Sequence, residues 1–393
     1  MKRNKEMLLV PGPTPVTGEI YDALAQETWG HTDPRFVKIF KESIALTKQL
    51  FNTDGEVFVL AGSGTVAMEM ALVNTVAPGE KILVVSHGFF GDRFIDIAEA
   101  FGIQAETIQA EWGQHVDPEQ VRAKLAEGGF KAVTVSHADT STGVAASLEQ
   151  LVPVVKEAGA LFILDGVCAT AAMDEDMGKE YGASNHRIDV ILTGSQKAIG
   201  VPPGIAIVAF SPEALAAREK LGRINAYYSD IKKWQPVMEN PAKYFATPPV
   251  NLIYAYHRGL QLVMEEGLET RWNRHTISAK AIRAALATYG MEALADEAIA
   301  ASTLSCFIYP EGIDDGKFRA ALADKGVVVA GALASLAGKA FRVGHMGNAT
   351  NDMFARAIEL IGVTLNEIGY TVDTQAAVRK FQETCENRIV LEY

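Results

Sequence analysis

The sequence predicts an α/β protein: a mainly parallel sheet covered by helices, followed by a smaller C-terminal α+β domain. Three observations carry this. Short apolar runs recur from Val57 onward, each ending in a polar, Gly-containing loop that leads into a helical stretch. After Tyr254 the pattern changes to long helical stretches mixed with short strands. The chain has 393 residues and 48% hydrophobic content, ample for a sizeable core and, by length, about two or three domains. The division that follows is an arm over 1–18, a large domain over 19–255, a small domain over 256–370 and an extension over 371–393.

Taken in order, Met7–Gly18 carries three prolines, which makes it an extended arm rather than a helix. Gly18–Gln26 and Phe36–Leu50 read as helices. Val57–Leu60 is a strand running into Gly62-Ser-Gly-Thr65 and the helical Val66–Val76. Lys81–Val85 ends in Ser86-His-Gly-Phe-Phe-Gly-Asp-Arg93, Ala132–Val135 in Ser136-His-Ala-Asp-Thr-Ser-Thr-Gly143, and Leu161–Leu164 in Asp165. Val190–Leu192 and Ile205–Phe210 are buried strands around a loop punctuated by Gly194, Gly200, Pro202, Pro203 and Gly204. Beyond them lie a helical stretch over 251–289, short strands over 303–309, 327–329 and 341–343, a helix over 351–368 and an amphipathic tail over 371–393.

Composition excludes several classes. Acidic residues number 48 and basic residues 36, a formal charge of −12, which disfavours nucleic acid as a partner. No apolar run is long enough for a membrane span, and Met7–Val10 is too short for a signal-peptide core, so a cytoplasmic protein is expected. Three cysteines, Cys168, Cys306 and Cys385, stand far apart, with no Cys-x-x-Cys and no helical His pair. Neither a disulfide framework nor a metal site is expected.

In such sheets a ligand lies beyond the carboxyl ends of the strands, and the polar residues of this chain gather there. Lys197 is the only charge in the loop between the last two strands of the large domain. It is either a solvated loop lysine or an amine held in apolar surroundings, where desolvation disfavours an ammonium and a neutral amine captures an aldehyde. Gly62-Ser-Gly-Thr65 is a helix cap or a phosphate cup built from backbone N–H groups and two hydroxyls. It matches neither nucleotide fingerprint. Asp165 ends an apolar strand. It is a capping or loop acid, or the partner of a protonated ring nitrogen. Phe90 fills core space or stacks on a flat cofactor, and Thr140 caps a turn or donates to a ligand.

Together the parts suit pyridoxal phosphate, and over about residues 7–370 the chain resembles the class V, fold type I aminotransferases, in their alanine–glyoxylate / serine–pyruvate branch. The markers are Pro11-Gly-Pro-Thr14, Gly62-Ser-Gly-Thr65, Thr140-Ser-Thr-Gly143, Asp165, Gly194-Ser-Gln-Lys197 with Pro202-Pro-Gly204, Tyr244-Phe-Ala-Thr-Pro248 and Phe341-Arg-Val-Gly344. The resemblance implies that Lys197 holds pyridoxal 5'-phosphate as a Schiff base and moves a proton, and that Asp165 pairs with the pyridine nitrogen. It implies that Thr140 meets the ring hydroxyl, that Phe90 stacks, and that Ser63, Gly64, Thr65 and Gln196 bind the phosphate. Tyr244 and Thr247 would reach the phosphate of a neighbouring subunit, making a homodimer with shared sites. Arg342, with Gly12, would bind the substrate, the guanidinium gripping its carboxylate as a bidentate pair.

The implied reaction is a two-stage amino transfer from a small amino acid such as alanine or serine to a small 2-keto acid such as glyoxylate or pyruvate. Relatives also use aspartate, ureidoglycine and aminoethylphosphonate. Two departures stand out. Phe90 replaces the tryptophan of many relatives, and Gly30-His-Thr-Asp-Pro-Arg-Phe36 only partly matches the usual motif, so the resemblance assigns no site role to His31. His87, His137 and His345 are expected to make local hydrogen bonds. The rival readings are a same-fold lyase or cysteine desulfurase, a non-catalytic accessory subunit, and a dehydrogenase. A desulfurase needs a mobile cysteine, and none of the three reads as well placed. An accessory subunit would lose Lys197 or Asp165. The dehydrogenase lacks its glycine fingerprint.

Overall fold

The apolar runs are the strands of one seven-stranded sheet. A computed structural model describes residues 6–182 and 185–389. The strands are β1 (Glu56–Ala61), β2 (Lys81–Ser86), β3 (Gln104–Gln109), β4 (Phe130–Ser136), β5 (Leu161–Asp165), β6 (Val190–Gly194) and β7 (Ile205–Phe210), in the spatial order β1-β7-β6-β5-β4-β2-β3. From β6 to β3 all neighbours are parallel. β7 runs antiparallel to both β1 and β6, because the 195–204 connection is too short for the crossover that a parallel pair needs. The interior strands are buried on both faces, so they read as continuous apolar runs. β3 lies at the edge, half exposed and polar, and no apolar run marks it in the sequence.

The helices fall close to their sequence positions: Gly18–Leu24, Pro34–Phe51, Gly64–Val73 and Asn351–Glu367. The stretch over 251–289 is two helices, Val250–Glu266 and Leu268–Ala287, parted at Gly267. Its φ of 83° lies in the left-handed region that glycine tolerates and a continuing helix does not.

Two large apolar clusters form. One joins the sheet to its covering helices and extends to Val263. The other holds residues from Ala281 onward, together with Leu9. The second surrounds a three-stranded antiparallel sheet of Leu304–Ile308, Ala340–Gly344 and Ala330–Gly331. Leu9 belongs there because Met7–Leu8 pairs in parallel with Val327–Val328, and Gly344 N–H donates to the Leu9 carbonyl at 2.7 Å. The chain then crosses to the large sheet, where Thr14 binds the lysine loop. The arm is a strap between the two cores.

The helix Thr374–Ile389 packs on Leu268–Ala287 and Asn351–Glu367, burying Ala377 and Phe381. Burying a phenylalanine contributes about 1.5–3 kcal/mol, so this part of the extension covers the small core. Among the described residues, no helix is long and apolar enough to cross a membrane.

Candidate active site

The carboxyl ends of β4, β5 and β6 open on a cavity of about 150 Å³. Its wall includes Lys197 and Asp165, with Ser63, Gly64, Thr65 and Gln196, the ring of Phe90, and also Met68, Arg93, Ala138, Val167 and Cys168. The strand register explains why distant residues meet. Asp165 stands opposite Ser136 on one side and Leu192 on the other, and Lys197 follows just past the end of β6. A larger cleft of about 340 Å³, lined by Glu19, His257 and Arg258, lies between Gly18–Leu24 and Val250–Glu266. It holds none of these groups.

Asp165 is buried. Its carboxylate accepts from Val167 N–H at 2.9 Å and Ser136 Oγ at 3.1 Å, and no cation pairs with it among the described residues. Burial pushes its pKa up to about 6, and the Asp139 and Glu175 charges push the same way, while the two hydrogen bonds oppose. An acid left in this condition is a receptor for a cationic N–H.

Lys197 is half-buried, and its Nζ donates to the Pro11 carbonyl. The loop is fixed from several directions. Thr14 Oγ1 donates to the Lys197 carbonyl at 2.7 Å, and Thr14 N–H to that of Gln196 at 3.0 Å. Arg271 donates to the Ala198 carbonyl at 2.6 Å and to that of Ala171 at 2.9 Å. Gly12 lies against the lysine stem, where a Cβ would collide with Lys197 Cδ, Cε and Nζ. A side chain at position 12 would displace the amine.

At the other end, the helix Gly64–Val73 begins with no side-chain cap and no acid in its first turn. Such a helix start presents free N–H groups and partial positive charge to an anion. Gln196 Oε1 is buried with no hydrogen-bond partner among the described residues. An uncapped helix, an unpartnered amide oxygen and an acid lacking its cation, on one cavity beside a lysine, fit the two ends of pyridoxal phosphate.

Other expected site residues lie outside this wall. Thr140 is buried and offers its carbonyl to Arg342 Nη1 at 3.2 Å; Arg342 Nε also donates to Gly331 at 2.9 Å. Arg342 thus spans from the small sheet to the end of the large one. Burial lowers its pKa, and it has no carboxylate partner among the described residues. Tyr244 is 64% exposed and Thr247 is exposed; their hydroxyls are 3.4 Å apart, away from the cavity. His31 packs against the Tyr244 ring.

The histidine expectation holds for two of three. His137 bonds Glu175 at 2.8 Å, and His345 bonds Ser305 and the Ser302 carbonyl, each at 3.0 Å. His87 is different: it is buried, and neither ring nitrogen has a partner among the described residues. Burial, with His115 adding to it, lowers its pKa to about 4 and leaves the ring neutral.

Cys168 also departs from the sequence reading. The chain turns back after β5 through Gly166–Ala169 and brings Cys168 into the cavity wall, a placement the sequence reading did not give it. Its thiol is held protonated, since burial pushes the pKa up to about 11 and Lys197 only partly offsets this. A protonated thiol on a fixed turn does not serve as a mobile nucleophile. Asp139 was not singled out either. It is fully buried and accepts from Phe90 N–H at 3.0 Å, Gly91 N–H at 3.1 Å, and Ser141 N–H and Oγ at 2.9 and 2.6 Å. It fixes the turn that presents Phe90. The signal was an acid at a strand end, the same one that marked Asp165.

This arrangement defines a fold type I transferase that works with pyridoxal phosphate. Residues 19–345 match the family Aminotransferase class-V, and the chain belongs to that family as a pyridoxal-phosphate-dependent transaminase. Alanine–glyoxylate aminotransferase 1 of Saccharomyces cerevisiae is 34% identical over 88% of this chain and 93% of its own. A protein named soluble hydrogenase 42 kDa subunit, from Anabaena cylindrica, is 35% identical over 93% of this chain and 95% of its own. The crystal structure of ureidoglycine–glyoxylate aminotransferase from Bacillus subtilis has a TM-score of 0.90 at 25% identity, covering 98% of this chain and 100% of that one.

Proposed function

We propose that the chain moves an amino group from a small amino acid, such as alanine or serine, to glyoxylate or pyruvate. One observation carries the reading: Lys197 and Asp165, far apart in sequence, line a single cavity with the uncapped helix start. The names of the yeast and Bacillus subtilis relatives support glyoxylate as the acceptor.

Pyridoxal phosphate, when bound, supplies an aldehyde for amine capture and a ring that takes up charge as the substrate loses its α-proton. Lys197 Nζ would hold the cofactor through its aldehyde, and as a free amine beside the substrate it would take and return the α-proton, as general base and acid. Asp165, ionised, would pair with the cofactor's ring N–H and favour its protonated form. Phe90 supports the ring face, and Ser63, Gly64, Thr65 and Gln196 hold the phosphate. Arg342 receives the substrate carboxylate, and Gly12 leaves room for Lys197 to swing. Tyr244 and Thr247, exposed and away from their own cavity, reach the phosphate of a second copy of the chain in a homodimer.

The test is a donor–acceptor screen on the purified chain loaded with pyridoxal phosphate, beside the Lys197→Ala variant. The wild type shows a bound visible chromophore and transfers nitrogen, and the variant loses both. Transfer by the variant at near wild-type rate would overturn the role of Lys197. A wild-type chain with no chromophore and no turnover would instead be an accessory subunit on this scaffold.

A further inference from the structure

We propose that Arg93 is a further cofactor-binding residue, its guanidinium supplying the positive charge that the phosphate requires. The proposal rests on the cofactor reading above and concerns the same cavity. Among the groups assigned to the phosphate, Ser63, Gly64, Thr65 and Gln196 are all neutral. A phosphate monoester carries close to two negative charges at neutral pH. Lys197 is the other cation in the cavity wall, and its nitrogen is committed to the aldehyde.

Arg93 is placed for this by its helix. It sits on Phe89–Ala100, three residues after Phe90 and on the same face. Its guanidinium carbon lies 4.8 Å from the centre of the Phe90 ring, and Nη1 lies 3.5 Å from Thr65 Oγ1, at the uncapped helix start. Arg258 and Arg271 are paired with carboxylates, whereas Arg93 has no ion pair among the described residues. Its neighbour Asp92 is turned away, accepting from Gln109 Nε2 at 2.8 Å. A half-buried guanidinium with no counter-ion, on a cavity whose adjoining groups are neutral donors, completes an anion site. Its planar fork can give two charge-assisted hydrogen bonds to phosphate oxygens. The replacement of tryptophan by Phe90 keeps a ring face for the guanidinium to rest on.

The experiment titrates cofactor-free protein with pyridoxal phosphate and with unphosphorylated pyridoxal, following the visible band. In Arg93→Gln, affinity for pyridoxal phosphate falls about 10- to 100-fold, the size of a lost charge-assisted bond, while affinity for pyridoxal changes by less than about threefold. The retained pyridoxal band reports that the pocket is folded. Arg93→Lys keeps most of the phosphate-dependent affinity. Inorganic phosphate slows loading of the wild type and loses that effect in Arg93→Gln. Equal weakening of both aldehydes, or unchanged affinity for pyridoxal phosphate, overturns the proposal. So does a variant that loads normally but shows a raised Michaelis constant for a dicarboxylate donor alone, since the charge would then serve the substrate. A wild type that bound neither aldehyde would sink the cofactor assignment as well, whereas a wild type that loads beside an unaffected variant sinks this one alone.

Discussion

The two ends of the cavity are built in opposite ways. At one end Asp165 closes a buried strand, flanked by Ser136 and Leu192 on neighbouring strands, with a charge that no cation pairs with among the described residues. At the other, Ser63, Gly64 and Thr65 begin a helix whose start no side chain caps, and all three are exposed or half-exposed. The acid end opposes folding, because burying a lone carboxylate is unfavourable. The helix end costs little, since solvent reaches its free N–H groups. On the function proposed above, the electrostatically costly half serves the step in which charge develops on the ring, and the open half serves binding. Variants at the two ends should therefore fail differently.

The largest effect belongs to Asp165→Asn. Removing a preorganised charge at the ring lowers kcat by about 10²–10³-fold. The cofactor-free protein should respond in the opposite sense. With its folded pKa raised to about 6, against the ordinary carboxyl value of 3.8, Asp165 holds its proton more tightly in the folded state. Its contribution to stability therefore falls as pH rises through that window and is fully adverse above it. At pH 8, cofactor-free Asp165→Asn is more stable than wild type by up to roughly 3 kcal/mol, and the difference closes below about pH 4. Thermal melting of both proteins across pH measures this. A variant less stable than wild type at pH 8 would show that the ionised acid already has a stabilising partner.

Arg342→Ala comes next. Its guanidinium is anchored at Gly331 and Thr140 and faces no carboxylate among the described residues, so it is available to a substrate. The apparent Michaelis constant should rise about 10- to 100-fold with a smaller change in kcat. An unchanged constant across several donors would place the carboxylate clamp elsewhere.

Much of this site was legible in the sequence, for a physical reason. Lys197, Asp165 and the Gly62–Thr65 turn each stand directly past an apolar run, and a parallel sheet brings all such positions to one edge. β7, which pairs antiparallel with β6, was legible as a strand but not in direction until the shortness of the 195–204 connection is weighed. β3 escaped because an edge strand needs no apolar run. Cys168 escaped because its place depends on how the chain turns after Asp165, and Arg93 because the role proposed for it depends on its having no counter-ion among the described residues. Both are facts about neighbours in space. The strap from Leu9 to Thr14, which ties the small core to the lysine loop, likewise rests on backbone hydrogen bonds that no residue type announces.

The smallest effect tests whether the Phe90 wall shares the rigidity of the acid end. Asp139 sits between the two ends and accepts four hydrogen bonds, two of them from the start of the Phe89–Ala100 helix. Asp139→Ala leaves those buried donors unpaired, at a cost of about 2–4 kcal/mol, seen as a melting temperature lower by several degrees. Asp139→Asn keeps one acceptor oxygen and should fall between. Because the turn carries both Phe90 and Arg93, cofactor affinity in the alanine variant drops only by a few-fold, through loosened placement rather than lost contact. The comparison hinges on that modesty. If Asp139→Ala weakens cofactor binding as severely as Arg93→Gln, then Phe90 and Arg93 are held chiefly by this one acid, and the helix end of the cavity is no more forgiving than the strand end.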